Sequence, residues 1–210
     1  MTSIDPNENA LFRDKETIPD HYWQELGQQN IQEVCRRALV TFQTGTGYQV
    51  PFWNRIYLCH PDSNRIWRED LPEKPLSFQE HLVILMYLIK ARDYPLDRKK
   101  VSERELPGGE LFFRGPHALV KKPLEKKFGK DPQGFLLAGL GLGGQDTGKG
   151  DASFQIPVLP RIPVEYILYV EDEEFPPQIT INFDSSISRH LPLDVIWALI
   201  NLTGRCLLAE

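Results

Sequence analysis

The sequence predicts an α+β fold, a mostly antiparallel sheet covered by helices in a single domain, and three observations predict it. Alternating apolar and polar residues come in runs, over 40–58 and again over 154–183, instead of being interleaved with long helices as in a doubly wound sheet. Two segments carry strong helix-start signals, one at Ser77 and Glu80 and one at Pro192. A chain of 210 residues is long enough to bury one sizeable core.

The elements follow in order. Residues 1–17 are polar and read as a flexible N-terminal arm, with the domain proper over 18–210. From Pro19 to Ala38 the residues Trp23, Leu26, Ile31, Val34 and Cys35 recur at helical spacing, and Gly27 divides them into two short helices. The period then changes. Val40, Phe42, Tyr48, Val50, Phe52, Ile56 and Leu58, broken by Gly45 and Gly47, predict a small antiparallel meander, with Ile66 and Trp67 as a further strand after a turn at 61–64.

Ser77 and Glu80 have capping-box spacing, so a helix starts at Phe78, buries Leu82, Ile84, Leu85, Leu88 and Ile89, and stops near Asp93 to Pro95. The stretch Arg104-Glu105-Leu106-Pro107-Gly108-Gly109 predicts a tight turn leading into an apolar strand at Leu111, Phe112 and Phe113, with charges on both sides of it. Pro123 and Gly129 bound a short helix, and Asp131 followed by Pro132 opens another. Strands are predicted at 154–159, 162–170 and 179–183, the last two joined by the acidic run Glu171 to Glu174. The helix after Pro192 is apolar nearly all round and is expected to be buried up to Gly204.

Composition excludes several classes. A formal net charge of −5 argues against a nucleic-acid binder, even with the lysines at 121, 122, 126, 127 and 130, which have no interleaved aromatic residues. The apolar run from Leu82 to Ile89 is too short to span a membrane, and the polar start is unlike a signal peptide, so a cytoplasmic protein is expected. Cys35, Cys59 and Cys206 are far apart and form no metal-ligand spacing, so no metal site is predicted and no cofactor is named by the sequence.

Gly139, Gly141 and Gly144 match a dinucleotide fingerprint, but they follow a helix where the fold requires a preceding strand. Gly143, Gly148 and Lys149 have P-loop spacing, but Gly150 stands where a magnesium-binding hydroxyl is needed, and prolines follow in place of a helix. Both nucleotide readings fail on context.

Taken together, Arg104-Glu105-Leu106-Pro107-Gly108-Gly109, Leu142-Gly143-Gly144, Asp151, Leu159-Pro160-Arg161-Ile162-Pro163, Glu173-Glu174-Phe175-Pro176, Phe183-Asp184-Ser185 and Leu191-Pro192 stand in an order that resembles the prokaryotic domain-of-unknown-function family 3786. The likeness covers nearly the whole chain after the arm. It departs after Pro192, where the family usually has an acidic pair and this chain has only Asp194. The resemblance implies a cytoplasmic single-domain protein in an anaerobic setting, with a corrinoid or iron–sulfur protein as partner. It supplies no catalytic residue set.

The residues themselves suggest where chemistry would sit. Asp151, Glu174 and Asp184 lie at predicted strand ends, and neighbouring strands would let them meet Arg104, Arg161 and His190 at one rim, with Glu105 beside the turn. Carboxylates so placed suit acid–base work or a hard cation, and arginines suit a carboxylate or phosphate. A Ser185–His190–Asp151 triad is conceivable but lacks a nucleophile elbow. Three functions follow: an accessory or ligand-binding protein in anaerobic cofactor or one-carbon metabolism, a small hydrolase or transferase using the acidic and arginine residues, or an interaction module. An exposed patch around Trp53, Trp67 or Phe112 would mark the last.

Overall fold

The structure is a computed structural model that describes residues 17–210; the expected arm, but for Thr17, lies outside the described residues. The fold is α+β as expected, with two antiparallel sheets: the small meander and a five-stranded sheet.

Helices α1 (Asp20–Gly27) and α2 (Ile31–Ala38) precede a meander of β1 (Thr41–Gln43), β2 (Gly47–Phe52), β3 (Arg55–His60) and β4 (Arg65–Arg68). Helix α3 (Phe78–Lys90) begins at the capping box: the Ser77 hydroxyl accepts from the Glu80 amide and Glu80 accepts from the Ser77 amide at 2.8 Å. Nine of its thirteen residues are buried, which is why its sequence reads as an apolar run.

The second sheet has the order β5-β9-β8-β7-β6, built from β5 (Lys100–Ser102), β6 (Gln145–Asp146), β7 (Ala152–Leu159), β8 (Ile162–Tyr169) and β9 (Gln178–Asp184). Alternate residues share a face, and β8 is buried on both. Ala152, Phe154, Ile156, Val164, Tyr166, Leu168, Ile179, Ile181 and Phe183 face the core. That face packs with α3, the helix α6 (Pro132–Gly141) and the last helix α8 (Leu193–Ala209) in one contiguous buried cluster that includes the first sheet. The sheets are joined where the Trp53 amide donates to the Val158 carbonyl at 2.9 Å, and the Trp53 indole N–H donates to Thr203 on α8 at 3.1 Å. Trp53 is therefore buried, not part of an exposed patch.

One expectation is corrected. After Pro107 there is no strand: Gly108, at φ +77°, caps α4 (Gly109–Phe112), a single helical turn. A side chain at Gly109 would lie 2.0 Å from the Glu103 carbonyl oxygen, so close backbone approach is what that glycine provides. The final helix is buried through Gly204 as expected and runs on to Ala209, where Leu207 alone is buried.

The remaining helices are α5 (Lys121–Phe128), which starts two residues before Pro123, and α7 (Ile187–His190), which the sequence reading missed. Helix α5 packs against β9 where β5 is too short to cover it, and Glu125 accepts the Ile179 amide at 3.1 Å.

Candidate functional site

In the β8–β9 register, Val164 pairs with Phe183, which brings the β7–β8 turn holding Arg161 beside Asp184 at one end of the sheet. His190 follows on α7. Three of the expected residues are thus gathered, and their bonds are turned inward. The Arg161 guanidinium donates to the carbonyls of Arg37 (2.6 Å), Tyr94 (2.9 Å) and Arg36 (3.4 Å) and to Asp93 (2.6 Å), with its side chain only 11% exposed. Asp184 accepts from the amides of Asp97 (2.9 Å), Arg98 (2.8 Å) and Ser186 (3.1 Å) and from the Ser186 hydroxyl (2.6 Å). Burial opposes its ionisation, but the Ser186 bonds and the two loop amides outweigh it and hold the carboxyl below its usual range.

His190 is 1% exposed, and its Nδ1 accepts the Arg92 amide at 3.3 Å. Burial, reinforced by the positive charges of Arg161 and Arg189, pushes it down to about 4, so it is neutral at pH 7. These groups fasten the 91–99 segment to the sheet end.

The other expected residues lie elsewhere. Arg104 and Glu105 sit in a 3₁₀ turn after β5; Glu105 closes a capping box on Ser102, and Arg104 is exposed. Asp151 precedes β7 and Glu174 lies in the β8–β9 connection, at the opposite end of the sheet from Asp184. The Ser185–His190–Asp151 triad is therefore not assembled. His117 stacks on Phe112 and meets Trp197 edge-on, which is aromatic packing. The three thiols are all raised by burial.

At that opposite end there is a cleft of about 720 Å³ between α5 and the ends of β8 and β9. Two lysines, Lys121 and Lys122, and three carboxylates, Glu125, Asp151 and Asp172, line it, with the exposed rings of Tyr169 and Phe175. Its charges are only partly committed. Lys121 pairs with Glu103 at 2.7 Å, but the Lys122 side chain is 93% exposed and reaches Glu125 at 3.3 Å. Asp151 accepts the Val170 amide at 2.8 Å, and Asp172 accepts the amides of Glu174 and Phe175, each through one oxygen. Such a lining can hold a compact ligand with both charges and a flat or apolar part.

Of these residues sequence reading singled out only Asp151 as a site. Lys121 and Lys122 stood in the basic run and Asp172 and Phe175 in the acidic connection, but nothing local says that the two runs face each other. Among the described residues no group of three or more His, Cys, Asp or Glu is placed to hold a metal ion, and no helix is long and apolar enough to cross a membrane.

Residues 30–205 match the family described as Domain of unknown function (DUF3786), and the chain belongs to it. No curated protein and no solved structure matches.

Proposed function

We propose that this is a ligand-binding accessory protein, and that its site is the cleft between α5 and the β8–β9 end. The observation that carries the reading is the lining itself: incompletely committed charges of both signs beside two exposed aromatic rings. A zwitterionic small molecule fits that chemistry. The resemblance to relatives near corrinoid and iron–sulfur methyl-transfer proteins supports anaerobic cofactor or one-carbon metabolism as the setting, by association alone.

A hydrolase or transferase built on the acidic and arginine residues has less support, since Arg161 and Asp184 spend their bonding capacity on the fold. An interaction module is favoured by one observation. The outer face of α6 exposes Leu137 (60%) and Leu140 (42%) beside half-buried Leu136.

The test is native mass spectrometry on protein purified without oxygen from a cell that makes it. A stoichiometric small molecule, absent from the Tyr169→Ala and Lys122→Ala variants, is expected. A molecule retained by both variants would remove the cleft from consideration, and a second protein in its place would select the interaction module.

A further inference from the structure

The face of the second sheet that turns away from the core carries an ordered polar row. Gln145 pairs with Gln155, Gln155 with Glu165, Glu165 with Asn182, and Asn182 with Ser102, so one line of polar side chains crosses all five strands. Strand periodicity puts them on the same face, opposite Phe154, Tyr166 and Ile181. Glu165, in the central strand, is 1% exposed. Isolated buried carboxylates are costly, and this one is held by two partners: Lys149 donates to one oxygen at 2.9 Å and the Asn182 amide to the other at 3.1 Å. Those bonds outweigh the burial that opposes its charge, and its carboxyl lies below the usual range.

Lys149 arrives from the glycine-rich loop. That loop is bent down onto the sheet: the Lys149 amide and the Thr147 hydroxyl both donate to Ser153, at 2.7 and 2.8 Å, and a side chain at Gly150, φ +55°, would lie 2.6 Å from the Leu168 carbonyl oxygen. From the other side comes Lys100, on β5, whose ammonium donates to Gln155. Burial pushes Lys100 down, Glu165 pulls it back up, Lys149 pushes it down again and Asp184 adds a smaller upward pull, so the two ammonium groups meet in the field of Glu165 with Asp184 beyond it. The next carboxylate along this face, Asp184, is committed to Ser186 and the amides of residues 97 and 98. Both lysines are exposed, Lys149 with half of its side chain in solvent, whereas Glu165 is buried, so the site is open to solvent.

We propose that Lys100 and Lys149, set over the Gln155–Glu165–Asn182 row, form a binding site for a compact oxyanion, a carboxylate or a phosphate group. The anion takes the remaining donors of the two ammonium groups, while Glu165 holds Lys149, Gln155 holds Lys100, and the Glu165 charge competes with the ligand for both. Loop residues 147–150 form the rim. The site stands apart from the cleft at the β8–β9 end and does not depend on it.

The competition gives the test its sign. The side-chain NMR signals of Lys100 and Lys149 are followed in the full chain as inorganic phosphate, acetate or chloride is added at equal ionic strength. A saturable shift of both lysines with phosphate or acetate is expected, and whichever anion gives it identifies the source. Lys100→Gln should weaken binding about tenfold, as should Lys149→Gln, with Lys149→Arg restoring it and Lys126→Gln without effect. Glu165→Gln, which keeps the shape and removes the competing charge, should tighten binding several-fold, an outcome that a purely structural role for the cluster does not produce. Shifts that chloride reproduces, or binding that survives both lysine-to-glutamine changes, would overturn the proposal, and so would loss of binding in Glu165→Gln when its melting temperature is unchanged.

Discussion

The two ends of the five-stranded sheet are both rich in charge, and they use it differently. At the Arg161 end the guanidinium has four acceptors and the Asp184 carboxylate has four donors, all from the fold itself. At the α5 end Lys122 stands in solvent, and Asp151 and Asp172 each bond through one oxygen. Charge whose bonds close within the chain is architecture, because removing one partner leaves the others buried and unpaired. Charge with capacity to spare beside a concavity is what a ligand can use.

Stability measurements can break that contrast. Arg161→Ala removes the donor of three carbonyls and one of the two arginine partners of Asp93, and should cost about 3 kcal/mol in urea unfolding. A loss as small as that of a surface lysine would erase the distinction between the two ends.

Acid should act on the same end. His190 is pushed from 6.5 to about 4 in the fold, so between those values the unfolded chain holds a proton that the folded chain does not. Its stability contribution is complete above about 6.5 and declines as pH falls toward about 4, by at most on the order of 3 kcal/mol. The lowered Asp184 carboxyl adds a further loss below its ordinary 3.8. His190→Gln should flatten the upper part of a stability profile measured against pH; an unchanged profile would assign the acid sensitivity elsewhere.

Asp184→Asn leaves the Asp97 and Arg98 amides one charged acceptor short and should cost about 2 kcal/mol, read in the same denaturation experiment. Smallest of all, Lys122→Ala and Tyr169→Ala should change stability by no more than about 0.5 kcal/mol while removing the ligand of the cleft. Should either substitution unfold the protein, the α5 end would be architecture as well.

Much of the fold was readable because its signals are local. Ser77 and Glu80 announce α3, Asp131 and Pro132 announce α6, and the alternation over 154–183 announces the long strands. What was misread lacks a local signal. Leu111, Phe112 and Phe113 have no period, and Leu111 is 78% exposed while Phe113 is buried, so an apolar run stood for a strand that is a helical turn. Strand β5 carries one apolar residue, Val101, and exists only because β9 offers an edge to it.

The site divides in the same way. That Arg161 and Asp184 are neighbours follows from pairing adjacent strands, but that both are fully bonded depends on the 91–99 segment and the end of α2. The cleft brings residues 121–125 against 169–180, and the polar row needs four strand registers at once; neither relation is written in any window of sequence.

The bond from Ile179 to Glu125 has a consequence beyond holding α5 in place. Strand β5 covers only the far part of β9, and an uncovered backbone edge is a template on which another molecule can extend the sheet. Glu125 occupies a donor of that edge and sets a negative charge beside it, so the same carboxylate that borders the cleft guards the chain against edge-to-edge aggregation.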